Sequence, residues 1–486
     1  MQVKQKFCRT KIICTLGPTC DNEETIRALI KEGLDGARFN FSHGTQAEHK
    51  ERIERFRKIE KEFGFKLPCI LDTKGPEIRL GKFAEPVVLQ KGQKYTLTIK
   101  DDVIGDINQA SVSHKGIVKD LKPGDTVLID DGLVEMTVES ITETDVICEV
   151  KNSGTVKSNK GVNLPGIKTT LPSLTEKDIS DLKFGVENGF DFVAASFIRS
   201  KDDCLKIKQY LKDFGGEHIQ LIAKIENQEG LDNFDQILEA CEGVMVARGD
   251  LGVEIPVERI PFEQKKMIRK CCKAGKIVIT ATQMLDSMIN NPRPTRAEVT
   301  DISNAIIDGT SVIMLSGETA SGKYPVEAVR YMNNIALETE KHLDLTELSK
   351  SLKDFKKIDL TNNIAYKKVI DYSVCVTANL LKASAIICVT KDGLSPLILS
   401  AYRAKSPIFA ITSNEIIARR LSLVWNVQPV FVEVYSNQRE LVQKGIEKFK
   451  EMKFLVPGDT VVVAGHDDQL DEEKQAAMVS FVVRVK

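Results

Sequence analysis

Eight short runs of apolar, largely β-branched residues alternate along the chain with segments whose apolar residues recur at helical spacing. The eight runs cover residues 11–15, 36–40, 69–73, 192–196, 221–225, 244–248, 277–281 and 312–316. Runs that lack polar alternation are typical of parallel strands covered on both faces. Eight such strands, each followed by a helix, predict an α/β fold built on a closed (β/α)8 TIM barrel.

The series of runs has one long gap, between the third and the fourth. Residues 76–170 show apolar and polar alternation without a helical period, and turn signals such as Pro123-Gly124-Asp125 recur there, so we predict an inserted all-β lid domain. A second α/β pattern follows a charged stretch at 344–357, with strand candidates at 385–389, 408–411, 430–434, 460–464 and 480–485. The predicted domains are the barrel (1–75 and 171–342), the lid (76–170) and a C-terminal α/β domain (343–486).

Charge and cysteine usage narrow the class of function. Lys plus Arg number 68 and Asp plus Glu 69, so the net charge of −1 argues against a main role in binding nucleic acid or anionic membranes. No apolar run approaches the ~18 residues that span a bilayer. The eleven cysteines form no C-x-x-C pair, which favours thiols in a reducing compartment. We therefore expect a cytoplasmic protein that acts on small molecules.

Charged and hydroxyl side chains follow the predicted strands. Because barrel active sites lie at the carboxyl ends of the strands, these residues are expected to converge on one rim. They are Thr15, Arg38, Asn40, Ser42, Asp72, Thr73, Ser196, Lys224, Glu226, Arg248, Asp250, Thr282, Ser316 and Glu318. A rim with this many carboxylates, cations and hydroxyls suits a metal ion and a polyanionic substrate.

The chemistry of phosphoryl transfer fits this rim. Glu226 and Asp250 follow neighbouring strands and can share a divalent ion, Mg²⁺ or Mn²⁺, through hard oxygen ligands. Lys224 precedes Glu226 by two residues, so strand alternation points both side chains to one face. An ammonium there would stabilise the oxygens of a transferring phosphoryl group, and Arg38 would add a permanently charged fork for phosphate. The backbone N–H groups around Gly249 can approach a carboxylate.

Nine sequence stretches are specific enough to carry a resemblance: TKIICTLGP (10–18), ARFNFSHGT (37–45), LDTKGPEIR (71–79), KGVNLPG (160–166), AKIEN (223–227), MVARGDLG (245–252), ATQML (281–285), NPRPTR (291–296) and MLSGET (314–319). Through these stretches the chain resembles the pyruvate kinase family. The resemblance implies a catalytic barrel, a lid, a C-terminal regulatory domain and usually a homotetramer. It also implies the reaction, in which the phosphoryl group of phosphoenolpyruvate passes to ADP to give pyruvate and ATP.

The resemblance further assigns residue roles by position. Lys224 looks like the residue that stabilises the phosphoryl group in flight, and Thr282 like the one near the enolate methylene, where a proton is delivered. Glu226 and Asp250 resemble the Mg²⁺ ligands, and Lys224, Gly249, Asp250, Thr282 and Arg38 resemble the substrate contacts. The positions that match nucleotide contacts are Pro18, Arg38, Asn40, His43, Arg79 and Lys160.

The resemblance also implies a monovalent-cation site and a regulatory difference. Asn40, Ser42, Asp72 and Thr73 resemble K⁺ ligands, and a glutamate at Glu77 goes with K⁺ dependence in this family. Of the two C-terminal loops that form the sugar-phosphate pocket in many members, the first (390–395) retains hydroxyls and Lys391, but the second, HDDQLDEE at 466–473, has five acids and no glycine. Acids facing a phosphate repel it. We therefore expect no activation by fructose bisphosphate in the usual pocket.

Two other hypotheses about the function of the chain stay open at this point. A Mg²⁺-dependent barrel of the phosphoenolpyruvate/pyruvate type could carry out aldol or mutase chemistry, which would need neither the lid nor the nucleotide contacts. A catalytically silent scaffold on the same fold would tolerate losses at the rim, yet Lys224, Glu226, Asp250 and Thr282 are all present. Consumption of phosphoenolpyruvate with and without ADP separates the three readings.

Overall fold

A computed structural model describes residues 7–345, 363–433, 436–466 and 478–486. The first three barrel strands are β1 (Lys11–Thr15), β2 (Gly36–Asn40) and β3 (Cys69–Asp72). Helices α1 (Glu23–Glu32) and α2 (Gln46–Glu60) connect them. The Thr45 hydroxyl accepts the Glu48 N–H while the Glu48 carboxylate accepts the Thr45 N–H, so a reciprocal cap begins α2 after the short loop that follows β2.

An all-β unit follows β3. Its elements are β4 (Val87–Leu89), β5 (Lys94–Thr98), β6 (Gln109–Ser111), α3 (Ile117–Asp120), β7 (Thr126–Ile129), β8 (Val134–Ile141), β9 (Asp145–Val150), β10 (Gly154–Val156) and β11 (Val162–Asn163). Six of these strands form one sheet in the order β11-β7-β8-β9-β5-β6, and β10 pairs with β4. Alternate side chains such as Tyr95, Leu97 and Met136 form a core separate from that of the barrel.

Five further parallel strands close the barrel. They are β12 (Phe192–Ala195), β13 (Gln220–Ile225), β14 (Gly243–Ala247), β15 (Ile277–Ala281) and β16 (Val312–Leu315). β16 pairs with β1 and β12 pairs with β3, so the inserted unit leaves the strand order of a closed eight-stranded barrel intact. The predicted fold class is thus confirmed, and every predicted barrel strand matches an observed one to within one residue at each end.

Helices surround these strands. They are α4 (Glu176–Glu187), α5 (Lys201–Asp213), α6 (Gln228–Asp232), α7 (Phe234–Ala240), α8 (Arg248–Glu254), α9 (Ile260–Ala274), α10 (Arg296–Asp308), α11 (Gly317–Ala320) and α12 (Pro325–Lys341). Three single-turn 3-10 helices cover Pro18–Cys20, Val257–Arg259 and Asp286–Ile289. The short helix α8 begins directly at the end of β14, so its first turn lies at the mouth of the barrel.

The C-terminal part is a second α/β unit. Its elements are α13 (Asn363–Leu381), β17 (Ala385–Val389), α14 (Leu394–Ala401), β18 (Ile408–Thr412), α15 (Glu415–Leu421), β19 (Val427–Phe431), α16 (Gln438–Glu451), β20 (Thr460–His466) and β21 (Met478–Arg484). The sheet order is β19-β18-β17-β20-β21, and only β21 runs antiparallel to its neighbour. The strand predicted at 430–434 was placed too late, because β19 ends at Phe431.

The linker and the acidic loop predicted from the sequence fall at the edges of the described ranges. The charged linker at 344–357 and the acidic loop at 466–473 lie almost wholly outside the described residues. The exact domain bounds stay a prediction. Among the residues that the structure describes, no helix is both long enough and apolar enough to cross a bilayer. All the cysteines are free and, apart from the half-buried Cys272, buried.

Candidate functional site

A buried ammonium lies at the carboxyl end of β13. The Lys224 Nζ atom is 3.0 Å from Asp72 Oδ1, 3.0 Å from Glu226 Oε1 and 2.6 Å from Ser196 Oγ. The side chain is only 10% exposed. Burial lowers the pKa of Lys224, but the two carboxylates outweigh this effect and the net pKa is raised. The amine is therefore a permanently charged group fixed at the barrel mouth.

Asp72, at the end of β3, joins Lys224 to a second buried cation. Its Oδ2 accepts a 2.7 Å hydrogen bond from Arg38 Nε, and Arg38 Nη1 donates to Thr15 Oγ1 at 2.8 Å. Burial raises the pKa of Asp72, but the positive charges of Arg38 and Lys224 bring it below its ordinary value of 3.8. The carboxylate thus stays ionised and holds both cations in place.

Two carboxylates at the barrel mouth, Glu226 and Asp250, could hold a divalent ion. Glu226 is 1% exposed, and its Oε2 accepts the backbone N–H of Phe197 at 2.6 Å. Burial, together with the negative charge of Asp250, raises the pKa of Glu226. Asp250, in the first turn of α8, is exposed. Two hard oxygen donors that repel one another fit Mg²⁺ or Mn²⁺, which prefer few protein ligands and keep positions for substrate oxygens.

Thr282 follows β15 in a left-handed conformation, with φ of 66°, and Gln283 follows with φ of 53°. The Thr282 hydroxyl accepts the backbone N–H of Gly249 at 2.8 Å and donates to the Ala281 carbonyl at 2.6 Å. Such a backbone is costly for a β-branched residue, so neighbouring contacts must hold it. The structure therefore brings Gly249 and Thr282 together at the rim.

Oxygen atoms gather at the ends of β2 and β3. Asn40 Oδ1 accepts the Ser42 N–H at 3.1 Å, and the Thr73 carbonyl accepts the Ser196 hydroxyl at 2.7 Å. Asp72 lies in the same pair of neighbouring strands. A set of amide, hydroxyl, carbonyl and carboxylate oxygens is suited to a monovalent cation, because only one of its members carries a full negative charge.

Lid residues face the barrel mouth across a cavity of ≈ 310 Å³, whose lining includes Arg79, Lys160 and Asp250. Arg79 Nε donates to Glu77 Oε2 at 2.8 Å and its Nη1 donates to the Asn159 carbonyl. Lys160 Nζ donates to Asp130 Oδ1 at 2.6 Å. The structure thus places two of the predicted nucleotide contacts on the cavity wall, each held by a neighbouring acid.

Pro18 and His43 lie outside this cavity lining. Pro18 begins the single-turn helix after β1, and His43 follows β2; both are exposed. Their positions after neighbouring strands place them on the same face of the barrel as the rim. Gly44, next to His43, has φ of 74°, which turns the chain into α2.

Two rim residues do not point into the site. The Arg248 guanidinium turns toward Asp301 on α10, with both Oδ atoms 2.7 Å from Nη1. Glu318 accepts the backbone N–H groups of Leu285 at 3.0 Å and Ser316 at 2.7 Å. Sequence reasoning placed both residues among the converging charges, because a strand-end position does not reveal where a long side chain turns. Asp301 was missed, since no signal separates it from other polar residues on α10.

Arg199 is a further residue that sequence reasoning missed. It lies after β12 and donates to the carbonyls of Thr169 and Leu171, at 3.2 Å and 2.8 Å. These two residues belong to the segment by which the chain returns from the inserted unit to the barrel. The guanidinium therefore fixes the lid's second connection to the barrel.

Comparisons with known proteins agree with this architecture. The family described as "Pyruvate kinase, barrel domain" matches residues 7–329, and "Pyruvate kinase, alpha/beta domain" matches residues 368–476. A relative from Clostridium acetobutylicum named pyruvate kinase is 48% identical over 94% of this chain and 95% of its own length. Relatives of the same name are 46% identical in Clostridium perfringens, over 94% and 96%, and 45% identical in Staphylococcus saprophyticus, over 94% and 77%.

Fold, charge network and matches together define a barrel enzyme of the phosphotransferase class. With both family descriptions matched and relatives near half identity over almost the whole length, the chain belongs to the pyruvate kinase family.

Proposed function

We propose that this chain transfers the phosphoryl group of phosphoenolpyruvate to ADP, giving pyruvate and ATP, with Mg²⁺ (or Mn²⁺) and K⁺ required. The observation that carries the proposal is the Lys224 ammonium, held at the barrel mouth by Asp72, Glu226 and Ser196. The matched family and the names of the relatives support the same reaction.

In the proposed reaction a bond from phosphorus to the enol oxygen breaks and a bond to an oxygen of the ADP β-phosphate forms. Lys224 would neutralise negative charge on the travelling group, and Arg38 would contact it from the neighbouring side. Asp72 orients both cations, so they need not reorganise when that charge develops. A single cationic contact of this kind is worth about 10³–10⁵ in rate.

The enolate left behind needs a proton on its methylene carbon. Thr282 is proposed to stand next to that carbon, where its hydroxyl can relay a proton from water. The N–H of Gly249 occupies one acceptor site of this hydroxyl and so restricts its orientation. The backbone around Gly249, at the N-terminus of α8, would receive the substrate carboxylate.

Two cation sites complete the proposal. Glu226 and Asp250 would hold the divalent ion, which when bound screens the negative charge of substrate oxygens. Asn40, Ser42, Asp72 and Thr73 would hold K⁺. Arg79 and Lys160 would contact the nucleotide phosphates from the lid, and Arg38, Asn40, Pro18 and His43 would line the barrel side of the nucleotide site.

One coupled assay tests the reaction. Phosphoenolpyruvate consumption is followed with and without ADP, for the parent chain, for Lys224→Met and for Lys201→Met. Lys201 is a matched control because it is an exposed barrel lysine paired with Glu239 on the outer helices. We expect ADP-dependent turnover that Lys224→Met lowers by at least about 10³-fold and Lys201→Met leaves unchanged.

Other outcomes would point elsewhere. Turnover without ADP would favour aldol or mutase chemistry, and no turnover with either mixture would favour a silent scaffold. Unchanged turnover in Lys224→Met would refute the role of the ammonium. Initial rates in K⁺ and in tetramethylammonium salts test the monovalent cation, and equal rates would refute its requirement.

The family also supports proposals about assembly and location. We propose a cytoplasmic homotetramer, with a catalytic barrel (1–75 and 171–342), a lid (76–170) and a C-terminal regulatory domain (343–486). Exposed apolar side chains on α13 and β21, such as Leu380 at 79% and Val482 at 51%, are consistent with subunit contacts in that last domain. We further propose that micromolar fructose bisphosphate leaves half-saturation by phosphoenolpyruvate unchanged.

A further inference from the structure

Arg248 follows Arg38 and Lys224 along the chain as a further cation at the rim, and its side chain is 9% exposed. Its Nε donates to the Ala281 carbonyl at 3.1 Å, and its Nη2 donates to the Thr282 carbonyl. Both acceptors belong to the end of β15 and the residue after it. Because the guanidinium donates its hydrogen bonds to these carbonyls, it is oriented away from an anion in the site.

Asp301 on α10 anchors the other end of the guanidinium. Both carboxylate oxygens lie 2.7 Å from Arg248 Nη1, so this nitrogen is held between them. The side chain of Asp301 is 35% exposed, so the pair is at the edge of the barrel rather than in its core. Charge-assisted contacts of this kind fix the direction of a planar guanidinium better than a lysine could.

The conformation at Thr282 explains what this anchoring achieves. Two consecutive non-glycine residues, Thr282 and Gln283, have positive φ, a conformation that is a genuine outlier for β-branched threonine. The carbonyl of Thr282 is held by Arg248, and its hydroxyl is held by the N–H of Gly249, the next residue along. Two consecutive residues therefore clamp the strained turn at both its backbone and its side chain.

We propose that Arg248 and Asp301 are a positioning pair, which holds the Thr282 hydroxyl in register with the helix that carries Gly249 and Asp250. Neither residue touches substrate in this proposal; each acts through Thr282. The inference rests on the proposed function, since it concerns delivery of a proton to the enolate. Displacements of about 1 Å at a reacting group can cost about 10²-fold in rate.

The test uses Asp301→Asn, which retains the size of the side chain but removes the charge that anchors Nη1. By microscopic reversibility, an enzyme that protonates an enolate also exchanges the methyl protons of pyruvate with solvent deuterium. We expect this exchange, followed by NMR with ATP, Mg²⁺ and K⁺, to fall about 10²-fold together with kcat. KM for phosphoenolpyruvate and for ADP should stay within about threefold, because the substrate contacts remain.

Three further variants sharpen the result. Asp301→Glu keeps the charge and should recover exchange to within about tenfold of the parent, whereas Arg248→Lys, which loses the planar fork, should behave like Asp301→Asn. Asp308→Asn is the matched control, because it removes an α10 aspartate that pairs with Lys265 on α9 at 3.0 Å. It should leave exchange and kcat unchanged.

Exchange at the parent rate in Asp301→Asn or in Arg248→Lys would overturn the proposal. So would an Asp301→Glu chain as slow as Asp301→Asn at equal melting temperature, because the charge would then not be the operative property. A parent chain that neither turns over phosphoenolpyruvate with ADP nor exchanges pyruvate protons would instead refute the proposed function. The two failures are thus distinguished by the parent alone.

Discussion

Asp72→Asn is the most informative perturbation of the buried charge network. Asp72 is 1% exposed and lies 2.7 Å from Arg38 Nε and 3.0 Å from Lys224 Nζ. Asparagine has nearly the same shape, so the change removes the charge without opening a cavity. It leaves two buried cations that repel one another across an uncharged amide.

The size of the effect follows from what each cation retains. Removing one partner of a buried ion pair costs about 3–5 kcal/mol. Lys224 keeps Glu226 and Ser196, and Arg38 keeps Thr15, so we expect the lower end, about 3 kcal/mol. At about 2–4 °C per kcal/mol for a domain of this size, the melting temperature of the barrel should fall by about 6–12 °C.

Thermal unfolding of the parent and the variant at pH 7 measures this difference. Asp101→Asn is the control, because Asp101 pairs with Lys115 on the lid surface and its side chain is 84% exposed. Exposed pairs contribute about 0–1 kcal/mol, so this melting temperature should move by no more than about 4 °C. If Asp72→Asn moved the melting temperature no further than Asp101→Asn, the network would not stabilise the fold.

The pH dependence of the same comparison has a definite sign. Burial raises the pKa of Asp72, but Arg38 and Lys224 bring it below its ordinary value of 3.8. A group whose pKa is lowered by folding stabilises the fold fully above its unfolded value, and this contribution is lost as the pH falls through the folded value. The gap between parent and Asp72→Asn should therefore be constant from pH 8 to pH 5. A gap that already closed between those two pH values would contradict the lowered pKa.

Two further variants test the rim and the lid. In Gly249→Ala the new Cβ would lie 3.5 Å from Thr282 Oγ1, which is an ordinary contact, so we expect an unchanged melting temperature. We also expect a raised KM for phosphoenolpyruvate in steady-state kinetics. An unchanged KM would mean that the substrate does not approach this backbone. In Arg199→Met the segment 169–171 loses three hydrogen bonds, so its backbone amides should exchange faster in hydrogen–deuterium exchange. The barrel strands should keep their protection. Unchanged exchange in 169–171 would refute the role of Arg199 in fixing this segment.

The backbone at the rim was predictable because it depends on local patterns. Buried parallel strands are continuous apolar runs, and each run ends where polar residues begin, so Lys224 and Glu226 could be placed on one strand end. Helices with a clear apolar stripe and a cap are equally accessible, as in α10 (Arg296–Asp308), which Thr295 and Glu298 cap reciprocally. The break at Asn233 between α6 and α7 is less accessible, because the Asn233 side chain donates to the Arg199 carbonyl, a contact with a distant segment.

Side-chain directions at the rim were less predictable. Arg248 and Lys224 both belong to predicted strand ends, yet one side chain turns outward to α10 and the other stays in the mouth. Arg248 pairs with Asp301, whereas Lys224 pairs with Asp72 and Glu226, and of these partners Asp301 and Asp72 are distant in sequence. The sequence pattern identifies which residues lie at the rim. The ion-pair partners of their side chains determine which of these residues remain available to a substrate.

The cations and the carboxylates at the barrel mouth are held in different ways. Asp72 forms ion pairs with both Arg38 and Lys224. Glu226 forms an ion pair with Lys224 and is repelled by the negative charge of Asp250. The pKa of Glu226 is raised first by the burial of its own carboxylate and then by the negative charge of the exposed Asp250. The positive side of the site is therefore preorganised by the fold, and in the proposed function a divalent cation would offset the repulsion between the two carboxylates.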